Sequence, residues 1–223
     1  MKPGLHRIVG PGGSTLLRIG SRGLVVVDAH RAGTYESLMV EIHRVAKDPR
    51  LPVQALVLTA AGPDPAGSIA RFLEAGVPVI VQRRAAQRLA ASAPALGVPP
   101  ARPTAYDTDY LLRAGDVEAQ IEHVGSGRTG ADSVVLFPDL RVMAVGELYT
   151  AGDPEPDCAS GGSFAGWAAA ISHVLWSDFD VAVPSRGAPV GKPELRALRA
   201  RLDTLARSAG SSPSGRADCR PQR

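Results

Sequence analysis

Apolar residues in this chain gather either into short unbroken runs or into stripes of helical period. "GLHRIV" and "STLLRIG" read as strands joined across "GPGGS", a turn-forming stretch. "GLVVVDAH" is a β-branched run closing on Asp28, the pattern of an interior strand. "GTYESLMVEIHRVAKD" changes period: Leu38, Ile42 and Val45 share one stripe, and Thr34 stands where an N-cap belongs. A strand over 55–59, a small-residue loop, a helix over 67–74 and a strand over 77–81 follow. "RRAAQRLAASAP" predicts an alanine-rich helix ended before Pro94, and "LGVPPARPTAY" a proline-rich surface connection. "DVEAQIEHV", "SVVLF" and "RVMAV" read as three further strands, the last two joined by the turn "PDL". "SFAGWAAAISHVLW" predicts a helix capped by Ser163, with Trp167, Ile171 and Val174 on its buried side. "DVAVPSRG" is a last strand, and "KPELRALRARLDTLA" a terminal helix with a proline near its start. Strands in bunches alternating with helices predict one mixed α/β domain over residues 1–207. From Ser208 the composition becomes that of a disordered polar tail, 208–223.

Composition narrows the setting. A chain of 223 residues can bury one well-cored domain, and an apolar fraction of 44% is ordinary for one. No apolar run reaches the ~18 residues that cross a bilayer. "MKPGLHRIVGPGGSTLL" has no continuous apolar core of a secretory signal, so a cytoplasmic protein with no membrane partner is expected. The net charge of +3 is spread along the chain, and only Lys2, Lys47 and Lys192 are lysines. No basic stripe interleaves with aromatics, which make up only 4%, so nucleic acid is not an expected partner. Cys158 and Cys219 are too few for a disulfide framework, and Cys219 lies in the polar tail, so no pairing is expected.

Candidate chemistry is sparse. The loop "TAAGPDPAG" follows a strand and precedes a helix, a common place for metal-binding histidines, yet it offers one carboxylate, Asp64, and no imidazole. There is no Gly-x-Ser-x-Gly elbow, and Ser126 and Ser185 lack an evident partner base. "VGPGGST" lacks the Gly-Lys-Ser/Thr ending of a phosphate loop and reads as a hairpin turn. Cys158 sits in the acidic loop "DPEPDCASGG", the opposite of the electropositive setting that activates a thiol. His6, His43 and His173 fall on strand or helix faces as structural residues. His30 and His123 stand at strand ends, where two scattered histidines are ordinary residues more readily than the seed of a metal site.

Four landmarks in order resemble one family. "VVVDAH" is similar to the strand ending in Asp that opens a metallo-β-lactamase fold. "LTAAGPDPAGSIARFLEAGVPVIV" resembles that family's strand, Thr-His-x-His-x-Asp-His-x-Gly loop and helix. "HVGSGRTGADSVVLFPDLRVMAVGELY" resembles its Gly-x-x-His-Thr-x-Gly-Asp segment and the strand after it, and "DFDVAVPSRGAPV" its final Pro-Gly-His-Gly. The likeness spans about residues 5–205, and "GELYTAGDPEPDCASGGSFAGWAAAISHVL" adds detail similar to the branch of SoxH-like hydrolases. The resemblance implies a four-layer αββα sandwich with a zinc site on one edge of its two sheets.

The departures fall on the ligands. By position, the family's first loop histidine is Ala60, its second is Gly62, its Asp is kept as Asp64, and its third histidine is Pro65. The histidine of the Gly-x-x-His-Thr segment is Arg128, the metal-bridging Asp is Glu147, and the final histidine is Arg186. A catalytic zinc needs about three N, O or S donors and an open water position. Alanine, glycine and proline side chains donate nothing, and a guanidinium has no lone pair and repels a dication. No metal cofactor is therefore expected, although zinc is what the resemblance implies. The gained residues balance in charge, so two guanidiniums are expected to replace the metals as counter-charge to Asp64 and Glu147. Asp28, His30 and His123 are possible further cleft residues. Asp64 reads equally as a cap of the following helix, and the Arg–Glu set as a structural ion-pair network or an anion-binding pocket. The functional expectation is a non-catalytic binding or regulatory module with a small anionic ligand or a protein partner. The alternative is a diverged hydrolase of esters, thioesters or lactams with a weak or absent metal site, and a third reading is a stable relic.

Overall fold

The computed structural model describes residues 2–31, 33–60, 66–92 and 102–210. Strands β1 (Leu5–Gly10), β2 (Gly13–Gly20), β3 (Gly23–Val27), β4 (Val53–Val57), β5 (Val79–Gln82) and β6 (Thr104–Tyr106) form one sheet in sequence order. The β1–β2 and β2–β3 pairs are antiparallel hairpins, and the rest of the sheet is parallel. Parallel neighbours need crossovers. Helices α1 (Tyr35–Ala46), α2 (Ala66–Glu74) and α3 (Arg83–Ser92) lie between the parallel strands in sequence. The second sheet runs β11 (Val181–Pro184), β10 (Val142–Gly146), β9 (Ser133–Phe137), β8 (Val117–His123), β7 (Asp109–Ala114). Helix α4 (Phe164–Trp176) lies between its one parallel pair, β10 and β11, and α5 (Lys192–Gly210) follows.

Three apolar cores fix the layer order. Val25 and Val27 of β3 pack with Phe137 of β9 and Ala144 of β10 between the sheets. Leu24 and Val26 point the other way, among Leu38 and Ile42 of α1 and Phe72 of α2. This accounts for the unbroken apolar run of β3: both of its faces are covered. Trp167 and Ile171 of α4 join Leu195 and Leu202 of α5 over the outer face of the second sheet. The result is the expected α/β, four-layer αββα sandwich.

Local differences have local causes. β6 falls at the end of the stretch read as a surface connection, and β7 had no counterpart in the expected strands. β6 is three residues long, and β7 buries only alternate late positions, so neither has a long apolar run. Thr34 precedes α1 but makes no side-chain cap; its hydroxyl donates instead to the Arg31 carbonyl at 2.6 Å. Ser163 does cap α4, its hydroxyl oxygen accepting from Gly166 N at 3.0 Å. α5 runs through Gly210, into the segment expected to be tail; residues 211–223 lie outside the described residues.

Gly146, where β10 ends, packs against Thr59, two residues past the end of β4. A Cβ added there would lie 2.1 Å from Thr59 Oγ1, and the backbone has φ +52°. Gly146→Ala should therefore cost about 2–5 kcal/mol, combining overpacking with left-handed strain. Gly76→Ala, at φ +75° but with nothing within 4 Å, should cost only about 1 kcal/mol in the same urea unfolding experiment. Equal losses at the two positions would contradict this packing.

Candidate functional site

Topology brings the replaced positions to one edge. β10 and β11 run parallel with Gly146 opposite Pro184, so Glu147 and Arg186 leave the sheet side by side. β9 is antiparallel to β10, so the loop entering it, which carries Arg128, arrives at the same edge. Ser133 N donates to the Thr59 carbonyl at 2.8 Å, which places Ala60, half-buried, beside that loop. Arg128 Nη1 lies 2.6 Å from Glu147 Oε2, and Arg186 Nη2 lies 3.9 Å from Glu147 Oε1. All three line a pocket of about 180 Å³ together with Tyr149, Asp153 and Glu155. The first contact is a charge-assisted hydrogen bond in a half-buried setting; the second is a looser, more exposed pairing.

The Arg128 loop is held from outside. Its carbonyl accepts from Asp157 N at 2.7 Å, and Gly130 N donates to the Ser160 carbonyl at 2.7 Å. Gly162 passes so close that a Cβ would sit 1.9 Å from the Arg128 carbonyl oxygen. Arg88 of α3 in turn bonds Ser160 through its hydroxyl and carbonyl oxygens. The acidic loop thus shapes the pocket with Asp153 and Glu155 and fixes the backbone of Arg128. Sequence reasoning assigned Asp153 and Glu155 no role; the signal was the run "GDPEPD" at 152–157, a few residues past Glu147.

Other expected positions fare differently. Gly62, Asp64 and Pro65 lie outside the described residues. His30 is buried and does not line the pocket: its Nε2 faces the Ile8 carbonyl at 3.3 Å, and its ring packs where a Gly10 Cβ would go. Burial lowers its pKa, against the bond to the Ile8 carbonyl. His123 turns its Nδ1 to the Asp132 carbonyl at 2.7 Å and is also absent from the pocket wall. Cys158 is disulfide-bonded, contrary to the expectation of unpaired cysteines. Cys219 lies outside the described residues.

The donor set does not fit a catalytic zinc. Ala60 has no donor, Arg128 and Arg186 bring positive charge, and Glu147 is already paired. Among the described residues no group of three or more His, Cys, Asp or Glu is placed to hold a metal.

Two buried acids stand behind the pocket, each held by a threonine. Asp28 follows β3 at φ +59°, and its carboxylate accepts from Thr59 N at 2.8 Å and Thr59 Oγ1 at 2.7 Å. Asp132 accepts from Thr129 N at 2.7 Å and Thr129 Oγ1 at 2.8 Å. Asp132 was not singled out from the sequence; the spacing Thr-x-x-Asp in "RTGADS" is the local signal. Burial pushes both carboxyls up to about 6, against the threonine bonds, and the Glu147 charge adds to the rise. A folded pKa above the unfolded value favours folding most below the unfolded value, and that contribution is lost as pH rises through the folded value. For Asp132 the window is 3.8 to about 6. Asn at this position keeps an acceptor for Thr129 N and never ionises. The stability of Asp132→Asn relative to wild type should rise by on the order of 2–3 kcal/mol across that window, read by urea unfolding at a series of pH values. A difference independent of pH would contradict the buried ionisation.

No family model and no curated protein matches the sequence. Solved structures do. A metallo-β-lactamase from Pontibacter korlensis is 21% identical with a TM-score of 0.71, over 89% of this chain and 93% of that one. The DIM-1 metallo-β-lactamase is 17% identical with a TM-score of 0.72, over 92% and 95%. The IND-7 metallo-β-lactamase is 21% identical with a TM-score of 0.71, over 91% and 94%. Nearly the whole length of each is matched. This chain has the metallo-β-lactamase fold.

Proposed function

We propose that this chain is a metallo-β-lactamase-fold protein that hosts no catalytic zinc and serves as a binding or regulatory module. The observation that carries the reading is the 2.6 Å contact between Arg128 Nη1 and Glu147 Oε2. A guanidinium stands where the resemblance puts a ligand histidine, and its partner is the carboxylate in the bridging position. A dication would have to displace Arg128 and then bind beside Arg186, against the repulsion of both. Without metal, no bound water is acidified and no carbonyl polarised by this route. The ligand expected is a small anionic molecule or a protein partner, met at the Arg128–Glu147–Arg186 pocket. Among the described residues no helix is long and apolar enough to cross a membrane.

The second reading is a diverged hydrolase of esters, thioesters or lactams. Its acid–base groups would be Asp64, Glu147 or His123; Glu147 is held by Arg128, His123 is turned to the Asp132 carbonyl, and Asp64 lies outside the described residues. Behind the pocket, Asp28 and Asp132 have carboxyls near 6. Each is engaged by a threonine and neither lines the pocket, so neither is placed to reach a ligand there.

Elemental analysis of protein purified without chelator and re-equilibrated with zinc should find well below one zinc or iron per chain. Turnover of a chromogenic lactam and of a nitrophenyl ester should not exceed the buffer rate. Near-stoichiometric metal that tracks turnover would overturn the non-catalytic reading.

A further inference from the structure

The pocket described above carries charge of both signs, and the two signs are not used up on each other. Arg128 is committed to Glu147 at 2.6 Å. Arg186 is not: its side chain is 66% exposed, it reaches Glu147 only at 3.9 Å, and its one hydrogen bond is a 3.5 Å contact to the Gly12 carbonyl. Most of its five N–H donors therefore remain for a ligand. On the acidic wall, Asp153 pairs with Arg201 at 3.2 Å, while Glu155 makes no ion pair among the described residues. One cation and one anion with unused capacity thus line the same pocket.

Charge balance selects the ligand. Glu147, Asp153 and Glu155 in the lining face Arg128 and Arg186, with Arg201 pairing Asp153 from outside it, so the site is close to neutral and a ligand of net charge upsets the balance. A simple anion would satisfy Arg186 and add a fourth negative group. A simple cation would satisfy Glu155 and face two arginines. A molecule with a carboxylate at one end and an ammonium at the other satisfies both. Its size is bounded too, because about 180 Å³ is well below the ~300–1,000 Å³ of pockets for drug-sized ligands. We propose that the pocket binds a small zwitterion, a free amino acid or unblocked dipeptide, with its carboxylate on Arg186 and its ammonium on Glu155. This assignment rests on the reading of the cleft as a non-catalytic binding site.

The test is a titration of the ¹⁵N-labelled full chain, followed by amide chemical shifts at low ionic strength. The probes are glycylglycine, N-acetylglycylglycine, which lacks the ammonium, and glycylglycine amide, which lacks the carboxylate. Glycylglycine should shift resonances in residues 149–155 and 185–187 saturably, and each blocked form should bind at least about tenfold more weakly. Arg186→Gln should erase the preference for a free carboxylate, and Glu155→Gln the preference for a free ammonium. Both side chains are exposed, so neither substitution threatens folding. Equal binding of the acetylated and free dipeptides, or no shifts in those segments with any probe, overturns the zwitterion assignment and leaves the metal-free reading standing. Metal uptake with turnover overturns that reading instead, in a measurement this titration does not share.

Discussion

The structure depends on a hydrogen-bonded seam around Thr59, where the two sheets are tied at one edge. The Thr59 amide and hydroxyl both donate to Asp28, which binds β4 to the end of β3. The Thr59 carbonyl accepts from Ser133 N at the start of β9, in the other sheet. Gly146 of β10 has no side chain because Thr59 already fills that space. From Gly146 the seam continues: its carbonyl accepts from Ser185 N, and the Ser185 carbonyl accepts from Ser14 N of β2. Thr15 closes the path by donating to the Asp28 carbonyl at 2.8 Å. Each link uses a buried or half-buried polar group that would otherwise be left unsatisfied, so the register of both sheets is set together.

The pocket follows from that seam. Residues immediately past it, Ala60, Glu147 and Arg186, and the loop just before Ser133, which carries Arg128, have nowhere to go but the shared edge. A fold that converges chain segments in this way suits metal ligation, and the same convergence works for any set of charges. Here an arginine takes up the carboxylate at the bridging position, and a second arginine lies within ion-pair distance of it. The two Asp–Thr pairs behind the edge keep their carboxylates buried at the cost of raised pKa values. The Arg128 charge opposes that rise at Asp132.

Much of this was legible in the sequence, for reasons that differ by element. β3, β4, β5, β9 and β10 are buried on both faces and show as plain apolar runs, whereas β6 and β7 lie at sheet margins with few buried positions and show no run. The Ser163 cap was legible because serine before an apolar stripe has one obvious partner; Thr34 found a nearer carbonyl. The convergence of Arg128, Glu147 and Arg186 was legible only through the family resemblance, since no spacing rule joins positions so far apart. Asp132 and the Asp153–Glu155 wall were not, because their significance comes from burial and from a loop folding back.

The proposed reading rests on the Arg128 guanidinium holding the Glu147 carboxylate at this edge. A double-mutant cycle with Arg128→Met, Glu147→Gln and the double variant, followed by equilibrium unfolding, measures it directly. The account predicts a coupling of about 1–2 kcal/mol, with Arg128→Met alone more destabilising than the double variant. Additive effects, with a coupling within about 0.3 kcal/mol of zero, would contradict it.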